Sequence, residues 1–354
     1  MHKLQRNIVS ISKGTAKGAI AGLGIVAWIT SSAFGQTTTQ VKKLDLSADK
    51  LTEKDGWTDL ESVTGGSNVI DQQNVNGQQN GTSTIYNLDL SGDLNFRRGQ
   101  QSSSNSLTVN EAFSRTPALP RLIKSTDQVR FVSMYRYQFA ADSLAGLFGR
   151  FKATTAAFES YDERAAATTY VRSKRDGSSS TEADKFRAKL AAGFAPQEYK
   201  EAFGLFLSPF DQETLRAEVR GGPAALQTFA KDAYFVNTSK SKDGVIVLEE
   251  VNDVHAFGAE MALEVKGVLL DKKLDYLVSA EALYPLVHSL RAEGAPEASK
   301  LVNYETLASL RYKLNDWLGF TVQAKSKRNP MIRPEAEVVK SALLTATLKK
   351  SFLD

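Results

Sequence analysis

No cysteine occurs among the 354 residues of this chain. Its absence removes disulfide scaffolds, Cys-ligated zinc, iron–sulfur clusters and thiol nucleophiles together. Histidine is scarce: His2, His255 and His288 are the three present. They form no clustered His/Asp/Glu spacing of the kind a metal site needs. Neither the GxxxxGK(S/T) phosphate loop nor a strand followed by GxGxxG is found, so no nucleotide cradle is expected and no cofactor is called for. Beyond residue 35 no apolar run reaches 18 residues. If the remaining chain sits in a membrane, it must do so as a closed barrel of strands.

An excess of charge is missing too. The formal net charge of +4 comes from 44 Lys and Arg against 40 Asp and Glu. Lys3, Arg6, Lys13 and Lys17 all lie in the first 35 residues; without these four, 40 basic residues face 40 acidic ones. The segment has a basic start, an apolar run over 19–29 and a small-x-small site at Ala33-Phe34-Gly35. That is the grammar of a cleaved secretory leader, with export as the consequence. No basic footprint for nucleic acid survives its removal. Residues 36–57 read as a polar lead-in, and 58–354 as the folded domain.

What the chain has in quantity is alternation. In "IYNLDLSGDLNF" (85–96), Tyr86, Leu88, Leu90, Leu94 and Phe96 share one phase and Asn87, Asp89, Ser91, Asp93 and Asn95 the other. Side chains on a strand face opposite sides in turn, so this is one long two-faced strand. The pattern recurs in "QVRFVSMYRYQ", "KFRAKLAAGF", "TLRAEVR", "FGAEMALEVK" and "VNYETLASLRYKLN". These runs approach the 9–11 residues a tilted membrane strand needs, against about 5–6 in an average globular strand. Asn76-Gly77, Asn80-Gly81, Asp271-Lys272-Lys273 and Asn315-Asp316 read as tight turns, 173–184 and 231–244 as polar loops, and 224–232 as a possible short helix.

The expected fold is therefore all-β: an up-and-down antiparallel transmembrane β-barrel of about 12 strands (range 10–14). A soluble β-sandwich is the competing architecture. Small residues on the apolar phase, such as Ala188, Ala192, Ala259 and Ala308, would leave a sandwich core thinly filled, whereas acyl chains conform to any surface. Aromatics near strand ends (Tyr135, Tyr137, Phe186, Phe194, Tyr276, Tyr284, Trp317, Phe352) suit two interfacial girdles. Lys340 and Lys350 fall on the apolar phase and are expected at the rims.

Two resemblances fit this reading. "SALLTATLKKSF" resembles the final strand of Gram-negative outer-membrane barrels, with Phe352 as its aromatic end, although Leu353 and Asp354 follow. Residues 74–139 carry an Asn-Gly-rich entry, Arg97-Arg98-Gly99, Asn105-Ser106-Leu107, Thr116-Pro117 and Lys124-Ser125-x-Asp127. With these they resemble a domain-of-unknown-function family of outer-membrane barrels, the three-thousand-and-seventy-eight group. That likeness implies a barrel and no activity.

On this phase assignment the interior-facing charges are Asp89, Asp93, Arg130, Arg136, Arg150, Lys152, Arg187 and Lys189 from one half of the chain. From the other half come Arg216, Glu218, Arg220, Glu260, Glu264, Glu281, Glu305 and Arg311. A mainly basic arc would then face a mainly acidic one. With water between them the arcs would line a pore for small polar solutes; in contact, they would plug it. The expected function is a passive channel, with a plugged barrel acting through its loops or a soluble binding protein as alternatives. No enzyme activity is expected, although His255 or His288 with a converging Ser and acid would make a lipid-active site. Expected partners are outer-membrane lipid and lipopolysaccharide, with barrel-assembly machinery and periplasmic chaperones during biogenesis.

Overall fold

The computed structural model describes residues 55–72, 81–116, 122–140, 143–237, 239–242, 244–290, 297–315 and 317–350. The leader, most of the lead-in, the Asn76-Gly77 turn, Phe352 and the side chains of Lys340 and Lys350 lie outside what is described.

The long alternating segments become long antiparallel strands. In chain order they are β1 (Gly56–Gln72), β2 (Gly81–Arg98), β3 (Gln101–Arg115), β4 (Ile123–Gln138), β5 (Ala145–Thr155), β6 (Ser160–Ser173), β7 (Ser179–Ala191) and β8 (Gln197–Gln212). Then follow β9 (Leu215–Phe229), β10 (Tyr234–Val236), β11 (Val245–Glu250), β12 (Val254–Leu269), β13 (Leu274–His288), β14 (Asn303–Lys313), β15 (Leu318–Asn329) and β16 (Arg333–Lys350). One short 3-10 turn, Ala298–Leu301, precedes β14.

Twelve of these strands form a closed barrel in the order β1-β2-β3-β4-β5-β8-β9-β12-β13-β14-β15-β16. Closure is made by β1 against β16, in a register from Glu61 opposite Lys350 to Gly66 opposite Thr345. Closure matters because it pairs the two terminal strands with each other along this seam instead of leaving them as exposed edges there. Each barrel strand is antiparallel to the next, so the topology is the expected up-and-down one.

The two ends differ. At one end β1 begins, β16 ends, and the connections are short: Gly99 (φ +55°) turns β2 into β3, and three successive left-handed residues, Leu270, Asp271 and Lys272, turn β12 into β13. We call this the turn end. At the other, the loop end, two connections carry extra strands. The β6–β7 hairpin is inserted between β5 and β8, and β10–β11 between β9 and β12. They join through a parallel pairing of β11 with β6 into a four-stranded sheet, β10-β11-β6-β7. Its core is Tyr170, Ala188 and Leu248, all buried.

Three local expectations are corrected. Residues 224–232 are not a helix: their first six residues continue β9, paired with β8 on one side and β12 on the other, and ladder pairing outweighs the helical preference of an Ala-Ala-Leu run. The polar stretch 173–184 already contains the start of β7, and 231–244 contains β10. "KFRAKLAAGF" is not a barrel strand; most of it lies in β7 of the four-stranded sheet, because a solvent-facing hairpin has the same period of two as a barrel wall.

Alternation decides which side is out. Along β12 the residues from Val254 to Leu263 alternate buried and exposed without a break. Phe257, Met261 and Leu263 point outward, and Ala256, Glu260 and Ala262 inward. On β2, Leu88, Leu90 and Leu94 are exposed while Asp89 and Asn95 are buried. Among the described residues the outer surface of the barrel is thus largely apolar. Aromatic residues border it. Near the turn end stand Trp57 against Phe96, with ring centroids 4.9 Å apart, Tyr135, Tyr137, Tyr312 and Trp317. Towards the loop end, Phe131, Phe151, Tyr199, Phe229 and His255 make a ladder over five adjacent strands, with centroids 5.6–6.3 Å apart. On β13 the outward Tyr276 and Tyr284 are eight residues apart, which at ~3.3 Å per residue and ~40° tilt is roughly 20 Å of height.

Candidate functional site

Inside the barrel the charges of opposite sign meet. Arg150 on β5 reaches Glu260 on β12 at 2.6 Å and Glu281 on β13 at 2.5 Å. Lys200 on β8 reaches the same two carboxylates at 2.8 and 2.5 Å. β5 is separated from β12 by β8 and β9 in the wall, so the Arg150 contacts span the lumen rather than a ladder. A second group gathers on Glu305 of β14, with Lys152 at 2.9 Å, Lys325 at 3.3 Å and Arg130 at 3.6 Å. The Arg150–Lys200–Glu260–Glu281 quartet is electrically neutral, and its multiple contacts supply the pairing that burial of a charge demands.

Apolar layers flank the ion pairs. Met134, Phe148 and Phe206 pack on the turn-end side. At the loop end, Leu226, Val254, Leu283, Leu301 and Met331 are all buried in one cluster, with Leu301 brought in by the 3-10 turn and Met331 by the β15–β16 turn. Ile332 of that turn also packs against the Ala191–Ala230–Ala233–Val251 group under the inserted hairpins.

The other side of the lumen has different chemistry. The inward residues of β1, β2, β14 and β15 mix uncharged side chains, Thr58, Ser62, Thr64, Asn95, Ser309, Thr321 and Gln323, with the charged Asp89, Glu305, Arg311 and Lys325. Ser62 and Ser91 hydroxyls bond each other at 2.8 Å. Nearer the turn end a cavity of about 290 Å³ opens among β2, β3, β4, β8, β9 and β12. Arg136, Arg216, Glu218, Glu264, Ser102 and Ser104 are in its wall. Most of its charge is paired: Glu218 with Arg136 at 3.1 Å and Arg220 at 2.6 Å, Arg216 with Asp211 at 3.1 Å, Glu264 with Lys266 at 2.9 Å.

Of the residues assigned to the interior from sequence, the structure places Arg130, Arg150, Lys152, Glu260, Glu281 and Glu305 in the crossing ion pairs. Arg136, Arg216, Glu218 and Glu264 stand in the cavity wall, with Arg220 bonded to Glu218 beside it. Asp89 and Arg311 are buried, and Asp93 shares the inward phase of Asp89. Arg187 and Lys189 are the exception. Both are on β7, exposed and outside the barrel: Arg187 lies 4.8 Å over the Tyr161 ring, and Lys189 pairs with Glu159. Lys200, Lys325 and Lys327 are charges that sequence reasoning missed, although "YKEAFGLFL" alternates as clearly as the segments it used. His255 packs edge-on against Phe229 at 5.6 Å.

In the four-stranded sheet, Tyr170 donates to Asp162 at 3.0 Å and Arg164 doubly engages the same carboxylate. Burial, and then the Asp162 charge, push the Tyr170 hydroxyl pKa up. Arg175 anchors the sheet by bonding Asp253 at 2.9 Å, and Asp253 also accepts the Ala230 N–H at 2.7 Å. The Arg175 bond, then the Ala230 bond, hold the Asp253 carboxyl below its usual range.

No family model matches the chain, and no curated protein does either. The resemblance to the domain-of-unknown-function family is therefore not confirmed. Among solved structures, an outer-membrane channel from Pseudomonas putida F1 is similar at 9% identity and TM-score 0.41, covering 88% of this chain and 100% of that one. The NanC porin is similar at 9% identity and TM-score 0.37, covering 83% and 100%. The beta domain of the Bordetella autotransporter Brka is similar at 11% identity and TM-score 0.36, covering 84% and 100%.

Proposed function

We propose that the protein is an outer-membrane β-barrel that passes small polar solutes through a constricted lumen. The observation that carries this reading is the division of the wall into an apolar outside, bounded by aromatic residues at both ends, and a polar inside. An apolar surface of this extent is stable only against lipid or another apolar surface. Pairing of β1 with β16 closes the sheet over Glu61–Gly66 and satisfies the backbone groups of that seam, as a strand in hydrocarbon requires. Short turns at one end and strand-bearing insertions at the other suit an orientation with the turn end in the periplasm and the four-stranded sheet outside. Twelve strands give a lumen between the side-chain-filled size at about 8 strands and the open channels at about 16–18.

The crossing ion pairs brace the lumen between β4, β5 and β8 on one side and β12, β13 and β14 on the other. The short side chains of β1 and β2, Thr58, Ser62, Thr64, Ser91 and Asn95, line the path left for solutes, with the 290 Å³ cavity as its vestibule. A second reading is favoured by the apolar cluster at the loop end: a barrel plugged at rest that acts through its outer sheet and the lipopolysaccharide around it. Planar-bilayer recording of the purified barrel separates the two. Stepwise currents, reduced or altered in selectivity by charge reversal at Glu305, are the expected result. Silence across several salt conditions would overturn the conduit and leave the plugged barrel.

A further inference from the structure

Asn95 is 1% exposed, and neither its amide oxygen nor its amide nitrogen has a hydrogen-bond partner. It belongs to the wall of the turn-end cavity. A buried amide without partners is costly, and natural cores seldom keep one. Its neighbours across the sheet are Thr58 on β1 and Ser104 on β3, and neither side chain bonds the amide. Retention of an amide at this place is explained if something outside the chain completes it.

The chemistry of the wall narrows what that is. Glu218, Asp211 and Glu264 each have a cation beside them, so no acidic side chain there calls for a cationic solute. What remains is the planar Asn95 amide, with hydroxyls at Ser102 and Ser104, side-chain amides at Gln101 and Gln138, and the Phe206 ring. An amide presents an acceptor and a donor side by side in one plane. Two adjacent hydroxyls match it: one donates to Oδ1 and the oxygen of the other accepts from Nδ2. An aromatic ring supplies an apolar surface for the C–H face of such a molecule. At about 290 Å³ the cavity is at the small end of ligand sites, which suits a single ring or short chain.

We propose that the turn-end cavity is a binding site for a small polyhydroxylated solute, of monosaccharide size, anchored through a vicinal pair of hydroxyls on Asn95. The wall opens around the amide when the solute enters. The proposal deepens the reading of the lumen as a conduit and rests on it for the solute's passage, but not for its binding.

The test is equilibrium binding to the purified full-length barrel in detergent, by saturation-transfer NMR or calorimetry, with D-glucose, D-glucuronate and inorganic phosphate as separate probes. Saturable binding of glucose or glucuronate, weakened at least tenfold by Asn95→Leu and less by Asn95→Ser, is expected. Glucose alone marks the hydroxyls as sufficient; glucuronate alone adds a contribution from the arginines. Both variants should keep heat-modifiable migration, and Asn95→Leu should unfold at a higher temperature than wild type, because an unpaired amide has been removed. A purely structural amide would instead give a less stable variant. No binding of either sugar, binding untouched by Asn95→Leu, or binding of phosphate only would overturn the site. Binding without bilayer conductance would leave the site standing and overturn the conduit.

Discussion

Arg150 and Glu260 are 110 residues apart in sequence and on strands that do not pair, yet they meet at 2.6 Å inside the barrel with both side chains almost fully buried. Lys200 shares the same carboxylate. Removing one member of such a group leaves a buried charge uncompensated, which costs about 3–5 kcal/mol. Glu260→Gln is therefore expected to lower the temperature at which the folded, fast-migrating form is lost on gels. An exchange of both residues for apolar ones, Arg150→Met with Glu260→Leu, should recover much of that loss. Equal destabilisation by the single and double variants would show that the pair contributes nothing through its charges.

The outward phase makes a separate prediction. Met261, 66% exposed, and Leu205, 58% exposed, lie well inside the strands that carry the apolar band. An arginine facing lipid near the midplane costs roughly 2–4 kcal/mol. Met261→Arg should reduce the yield of folded barrel in lipid vesicles, whereas Thr321→Arg on the inward phase should not do so by lipid exposure. If Met261→Arg folds into vesicles as efficiently as wild type, the outer face does not meet hydrocarbon.

Gly204 on β8 and Gly222 on β9 stand where a side chain would run into the neighbouring strand's backbone. A Cβ on Gly204 would overlap the Gly221 carbonyl, and one on Gly222 the Phe203 carbonyl. Overpacking of this kind costs about 1–3 kcal/mol. Gly204→Ala and Gly222→Ala should each shift urea unfolding of the barrel to lower concentration, while Gly149→Ala, which meets nothing within 4 Å, should shift it far less.

Acid should loosen the external sheet before the barrel. Asp253 has its pKa lowered by the bonds from Arg175 and the Ala230 N–H, so its contribution is complete above the unfolded-state value near 3.9 and is lost as pH falls from there through the folded-state value. Glu249 is lowered in the same direction by Lys240 and Asn237. Hydrogen exchange read on peptides from 159–196 and 230–253 should accelerate below about pH 4 while the barrel strands stay protected. Simultaneous loss of protection in both regions would show that the sheet has no separate acid-sensitive anchor.

Much of the fold was legible in the chain because a strand's period of two is a local property. Leu88, Leu90 and Leu94 had to share a face wherever β2 lay, and so did Asp89 and Asn95. Strand length, small residues on the apolar phase and aromatics at strand ends favoured a barrel over a sandwich. The same property misplaced Arg187 and Lys189: "KFRAKLAAGF" alternates, and alternation does not say whether a strand's partner is a barrel neighbour or a hairpin mate. It also passed over Lys200, whose segment alternates but whose significance depends on Glu260 and Glu281 across the lumen.

The sequence by itself determined where most of the long strands run and which of their side chains share a face, since alternation follows from backbone geometry. Only the tertiary structure decided that β5 and β8 face β12 and β13, so that the basic and acidic arcs close on each other instead of bordering open water. It also decided that two loop insertions zip into one sheet, and that Asn95 is buried without a partner beside a cavity. Those outcomes depend on closure of the barrel, which sets distances between residues far apart in the chain. No local pattern encodes them.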